Sequence, residues 1–159
     1  MSSVGFRIGL GTGRLRDDAV CERIVHKGLA LGYRHIDTAR HYENEQAIGR
    51  AIRKSEVPRE DLFVATKIHS HDLDAEGVMR SVQESLNALS IEQLDLVYVH
   101  WPSHAYDPQE TLGALSELTS CGDIRHIGLS NFTVDGVREA RATMDIPIYA
   151  VQVEMHPFL

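Results

Sequence analysis

Cysteine is nearly missing from this sequence. Cys21 and Cys121 are the two in 159 residues, with no Cys-x-x-Cys and no metal-type spacing, so neither a disulfide framework nor a cysteine-built zinc site is expected. Aromatic residues make up 6% and include one tryptophan, which leaves aliphatic side chains to build the core. No apolar run approaches the roughly 18 residues that span a bilayer. The first residues lack the basic start and long apolar segment of a signal peptide. Positive charge is also short: 16 Lys and Arg against 23 Asp and Glu give a net charge of -7. The densest basic stretch, Arg50, Arg53 and Lys54, is three cations along one expected helix. A surface of that sign repels phosphate backbones and anionic lipid. Neither nucleic acid nor a membrane is expected as a partner, and the expected setting is the reducing cytoplasm.

What is present is an ordinary globular mixture, 43% hydrophobic and 25% charged, long enough for one domain over 1–159 with a sizeable core. A short apolar strand followed by an amphipathic helix recurs along it. Strands are expected at 6–10, 34–37, 62–67, 94–100, 124–129 and 148–153. The first helix, over 17–31, carries Val20, Ile24, Gly28 and Leu31 at helical spacing, with Gly32 as its stop. The second covers 45–54, and Pro58 keeps the following segment from joining it. Asp74 caps a third helix with Val78, Val82, Leu86 and Leu89 inward. Asp107, Pro108 and Glu110 start a fourth that Gly122 ends, and Thr133 opens a fifth.

Alternating strands and helices imply βαβ units and a parallel sheet. Gly9, Gly11 and Gly13 invite a dinucleotide-binding reading, but Arg14 occupies the last position of Gly-x-Gly-x-x-Gly and the acid expected about 20 residues on is not obviously placed. A (β/α)8 TIM barrel makes the sharper statement. Polar residues collect at the ends of five strands: Asp37, Lys67, His100, Ser130 with Asn131, and Gln152. Barrel enzymes hold their chemistry there. Two-residue alternation aims Asp37, Lys67 and His100 inward, and Ile36, Val64, Val97 and Val99 toward the helices. Five βα units plus a sixth strand make an incomplete barrel, since closure takes eight strands. Such a chain is expected to be a fragment of a longer protein, the product of a frameshift, or one half of an assembly with a second chain.

Tyr42 lies five residues after Asp37, on the loop after the second strand. A phenol titrates near pH 10 and is a weak acid at neutrality. Lys67 is placed to lower that value, with Asp37 steadying its ammonium. His100 is placed to hydrogen-bond the phenol or a substrate oxygen. A proton donor of this kind suits the reduction of a carbonyl by a hydride-carrying cofactor.

Six segments carry a resemblance along nearly the whole chain. They are Gly9-Leu10-Gly11-Thr12; Tyr33-Arg34-His35-Ile36-Asp37-Thr38-Ala39 with Tyr42 and Asn44-Glu45; Ala65-Thr66-Lys67; Val99-His100-Trp101-Pro102; Ile127-Gly128-Leu129-Ser130-Asn131-Phe132; and Gln152-Val153-Glu154-Met155-His156-Pro157. In this order they resemble the aldo-keto reductase family, and the stretch around Val57-Pro58-Arg59 is most similar to its microbial diketogluconate and methylglyoxal reductase branch. The resemblance implies a catalytic tetrad of Asp37, Tyr42, Lys67 and His100, with Tyr42 as general acid in reduction. It implies cofactor contacts at Gly11, Thr12, Asp37, Ser130, Asn131 and Gln152, and a substrate pocket walled by His100 and Trp101. The implied cofactor is NADPH, with NADH possible, and the implied substrate is a small aldehyde or ketone; no metal is implied. Gly13 stands where the family usually has an aromatic residue, which widens the pocket. The family's strand-seven aromatic, its 2′-phosphate-gripping basic residues and its C-terminal substrate loop have no counterpart in the sequence.

Plainer readings compete. Asp37 and Lys67 also suit a structural ion pair. His69 and His71 resemble a metal pair without a third ligand and read as a solvated loop. His26, His35, His41, His104 and His126 read as surface or wall residues, and the two cysteines as packing residues on helices. At the level of function, the alternatives are a non-catalytic cofactor-binding regulatory protein on the same scaffold, like the potassium-channel β-subunits, and an inactive truncated product.

Overall fold

The computed structural model of the chain describes residues 8–102 and 105–158. Strands and helices alternate: β1 (Leu10–Gly11), α1 (Asp18–Ala30), β2 (His35–Asp37), α2 (Glu45–Lys54), β3 (Phe63–Ile68), α3 (Ala75–Leu89), β4 (Leu96–Val99), α4 (Pro108–Cys121), β5 (Ile127–Ser130), α5 (Val134–Thr143) and β6 (Ile148–Gln152). Short 3-10 turns cover Arg40–Tyr42 and Arg59–Asp61. The helix starts follow the side chains that cap them. Asp17, Asp74, Asp107 and Thr133 each accept from backbone N–H groups two or three residues on, which satisfies donors the helix leaves open. Gly122 ends α4 with φ 89°, a left-handed conformation that glycine adopts without strain.

Three expectations need adjustment. The first strand runs to Gly11 rather than ending at Leu10, and its expected start at residue 6 lies outside the described residues. In α1 the buried stripe is Cys21, Val25, Gly28 and Leu29, while Leu31 is exposed. Packing of α1 against α2 as well as the sheet selects the stripe one position over from the one spacing suggested. A Cβ on Gly28 would stand 2.8 Å from Leu10 Cδ2, so the glycine lets α1 close on β1. Of the two cysteines, Cys21 is buried as a packing residue, but Cys121 is exposed.

All six strands are parallel and lie in the order β1-β2-β3-β4-β5-β6. A doubly wound sheet reverses direction partway; this one does not. Each helix from α1 to α5 packs on the next, which forms one layer on one side. That is barrel winding, α/β in class and incomplete at six strands. Between sheet and helices lies the main core, where Ile36, Val64, Val97, Val99 and Leu129 meet Val25, Ile48, Val82 and Leu115. The opposite side of the sheet holds a small cluster of Ala65, Leu96 and Tyr98, with Phe63 and Ala150 against it. The alternation is as read: the side chains of Asp37 and Lys67 leave their strands on that second, interior side.

The strand starts are tied separately. Buried Asp95 accepts from Arg59 Nη2 at 2.6 Å, Val64 N–H at 2.9 Å and Arg125 Nη1 at 3.0 Å. Beside it Phe63, His126 and Tyr149 stack, the last two at 4.0 Å between centroids. The polar strand ends are therefore left to a different task.

Candidate active site

β3 carries Lys67 into the interior with its side chain 2% exposed. An ammonium so buried needs partners, and it has two: Nζ donates to Asp37 Oδ1 at 2.6 Å and to the Thr38 carbonyl at 2.8 Å. Asp37 ends β2, and its Oδ2 accepts from Gln152 Nε2 at 2.9 Å. One carboxylate thus joins β2, β3 and β6. Its backbone carbonyl accepts from both Thr12 N–H and Thr12 Oγ1 at 3.0 Å. Thr12 is fully buried and acts as a post under Asp37, its two donors engaged there. Around the position a Cβ would take on Gly11 there is open space.

Tyr42 closes the 3-10 turn after β2, held by Glu43 in the left-handed region at φ 56°. Its ring meets the His100 ring edge-on, centroids 5.8 Å apart. Lys67 Nζ stands 5.3 Å from the Tyr42 ring centroid and 6.0 Å from that of Tyr98. A Cβ on Gly13 would lie 3.2 Å from Tyr42 Cζ and 3.4 Å from its hydroxyl, so the glycine leaves the phenol uncrowded. His100 follows β4, and its carbonyl accepts from Asn131 Nδ2 at 2.9 Å. The same Nδ2 reaches Ser130 Oγ at 3.0 Å. Asn131 takes φ 63°, a conformation asparagine tolerates better than most residues. Trp101 is 56% exposed on the loop after β4. His104 lies outside the described residues.

The electrostatics follow from burial. The His100 imidazole is pushed down to about 4, first by desolvation and then by Lys67 and His41; it is neutral at pH 7. Burial, opposed by the charge and hydrogen bond of Asp37, draws the Lys67 ammonium down. The Tyr42 phenol moves the other way from the sequence expectation. Desolvation raises it, and the Asp37 carboxylate adds to the rise. The reason is geometric: Lys67 is committed to Asp37 at hydrogen-bond distance, while the phenolate form of Tyr42 would lose water. The cluster therefore combines a phenol that keeps its proton, a neutral imidazole beside it and a charged pair behind it.

Asp37, Lys67, Tyr42, His100, Ser130, Asn131 and Gln152 come together at the strand ends. Sequence reasoning assigned no role to Asn44 and Glu45. Asn44 Nδ2 donates to the carbonyls of Thr12 and Leu15, and its Oδ1 accepts from Thr38 Oγ1 at 2.8 Å. Glu45 is buried and accepts from Thr66 Oγ1 and Arg40. Their signal was a polar pair heading a helix whose other face is apolar. His35, read as surface or wall, packs edge-on against Phe63 at 5.1 Å.

Known proteins share this arrangement of segments. The model of the aldo/keto reductase family matches residues 7–159. A methylglyoxal reductase DkgB of Salmonella typhi is 42% identical over 154 residues, covering 95% of this chain and 57% of its own. A thermostable aldo-keto reductase solved with the inhibitor epalrestat superposes with a TM-score of 0.88 at 33% identity, over 96% of this chain and 60% of that one. The Bombyx mori aldo-keto reductase, solved in complex with NADP, does so with a TM-score of 0.85 at 31% identity, over 93% of this chain and 54% of that one. The chain thus spans a little over half the length of the relatives it matches, and within that span it belongs to the aldo/keto reductase family.

Proposed function

We propose that the site reduces aldehydes or ketones to alcohols with a nicotinamide cofactor, NADPH in the first place and NADH as the other candidate. The observation that carries this reading is the Lys67–Asp37 pair lying behind the Tyr42 phenol, with neutral His100 edge-on to it. Bound cofactor supplies a hydride to the carbonyl carbon. Tyr42 donates its phenolic proton to the carbonyl oxygen as negative charge develops there. A raised phenol pKa keeps that proton in place at neutral pH, and an alkoxide is basic enough to take it. The phenolate left behind faces the Lys67 charge until solvent returns the proton. His100 offers a ring N–H to the same oxygen, which orients the carbonyl.

The residues fit a nicotinamide carboxamide in their donor and acceptor set. Asn131 Nδ2 and Gln152 Nε2 are engaged within the protein, which leaves the amide oxygens of both and the Ser130 hydroxyl to meet an amide group. Gly11 adds backbone that a ligand can approach closely. Trp101 is the proposed pocket wall. A small carbonyl compound is the proposed substrate class, in keeping with relatives named methylglyoxal reductase.

The test is steady-state NADPH consumption with a panel of aldehydes, for the protein and for Tyr42→Phe. The substitution is expected to lower kcat/KM by about 10²–10⁴-fold and to leave NADPH affinity, followed by fluorescence, nearly unchanged. Turnover that survives in Tyr42→Phe refutes its role as the acid. Cofactor binding without turnover of any aldehyde refutes the reductase reading and favours a sensor.

A further inference from the structure

Glu45 opens α2 on the helix side of the sheet, with its side chain 3% exposed. A carboxylate taken so far out of water needs strong partners. Each of its oxygens has one, and the two partners belong to different parts of the site. Oε1 accepts from Thr66 Oγ1 at 2.7 Å, and Oε2 accepts from Arg40 Nη1 at 2.9 Å. Thr66 precedes Lys67 on β3, so strand alternation turns its hydroxyl to the helix side while Lys67 enters the interior. Arg40 opens the 3-10 turn that Tyr42 closes. One buried side chain thus holds the strand of the ammonium with one oxygen and the turn of the phenol with the other.

That connection bears on the distance between the two groups. Lys67 Nζ spends its bonds on Asp37 and the Thr38 carbonyl and faces the Tyr42 ring at 5.3 Å from the centroid. The separation therefore follows from what anchors the strand and what anchors the turn. The attraction between an ammonium and a phenolate depends on that distance, and more so away from water. A misplacement of about 1 Å costs up to about 100-fold in rate. Arg40 also pairs with Glu84 on α3, whose side chain is half exposed; a pair at that exposure contributes little.

Building on the reductase reading above, we infer that Glu45 is a positioning residue for the reaction: acting through Arg40 and Thr66, it sets the separation of Tyr42 and Lys67 from the far side of the sheet. Its place among α2, β3 and the turn keeps it out of contact with substrate and cofactor, which meet the interior side. Its loss therefore acts on proton transfer and leaves binding as it was.

The experiment pairs kinetics with NMR on Glu45→Gln. The amide keeps the length of the side chain and drops the charge that draws Arg40. The kcat of aldehyde reduction is expected to fall about 10–100-fold, with aldehyde KM and NADPH affinity within about twofold of the parent protein. Arg40→Gln is expected to lower kcat to a similar extent, and the double variant no further than either alone, as residues on one path do. Glu84→Gln is the control, with kcat within about twofold of the parent. In parallel, tyrosines labelled with 13C at Cζ are followed in the cofactor-free protein at pH 7.5, the Tyr42 signal being assigned from Tyr42→Phe. That signal is expected to move in Glu45→Gln and in Arg40→Gln while those of Tyr33, Tyr106 and Tyr149 stay; a role confined to stability moves none of them in folded protein. The NMR readout decides the proposal even where the parent turns over no aldehyde, an outcome that counts against the reductase reading alone. If Glu45→Gln fails to fold, Arg40→Gln, on a side chain 29% exposed, carries both readouts. An unchanged kcat, a fall in kcat accompanied by a rise in KM, additive effects in the double variant, or an unmoved Tyr42 signal overturns it.

Discussion

Lys67 and His100 show how single residues are set by their surroundings. Burying an ammonium to 2% exposure is costly unless a partner lies at hydrogen-bond distance, and Asp37 at 2.6 Å is that partner. His100 has no such counter-ion; the nearest cation opposes its protonation. Its folded value of about 4 lies below the unfolded histidine value near 6.5. Between those limits the unfolded chain binds more protons than the folded one, so stability falls as pH drops from 6.5 toward 4. The melting temperature is expected to decline across that window, and His100→Gln to flatten the decline. An unchanged slope in the variant would show that His100 is not shielded from solvent as described.

The loops after β1 and β2 act as one element because Asn44 pins them together through Thr12, Leu15 and Thr38. Asn44→Ala removes three hydrogen bonds, two of them buried, and takes the acceptor from the Thr38 hydroxyl. A loss of about 2–4 kcal/mol is expected in denaturant melts, with a lower kcat because Tyr42 sits on the loop so released. Much of this level was legible in the sequence. The inward aim of Asp37 and Lys67 follows from a two-residue alternation that any short strand displays. The caps Asp74, Asp107 and Thr133 act within three residues of themselves. Asn44 was not legible as a pin, because its partners Thr12 and Leu15 lie 32 and 29 residues back. Nor was the rise in the Tyr42 pKa, since desolvation depends on what packs over the ring rather than on what stands near it in the chain. The inner stripe of α1 was misjudged by one position for the same reason: α2 selects it.

At the scale of the whole molecule, the sheet has two edges, and they differ. β1 is two residues long, whereas β6 is five. Ala150 and Gln152 of β6 face the interior, which turns Val151 to the helix side, where it is 46% exposed. Val153 and Met155 beyond it are more exposed still. An apolar parallel edge of this kind favours pairing between chains. The 159-residue chain is expected to self-associate as concentration rises, and Val151→Lys to reduce this in sedimentation velocity; equal association in both would place the contact elsewhere. The hydrogen bond from Gln152 to Asp37 spans 115 residues of sequence. Closing so long a loop carries an entropic cost that local contacts do not offset. During synthesis the five earlier βα units can fold while Asp37 still lacks this partner. The second oxygen of the carboxylate that steadies Lys67 gains its protein partner only after β6 has docked, so the grip on the lysine is set by two neighbouring strands and finished by one far downstream.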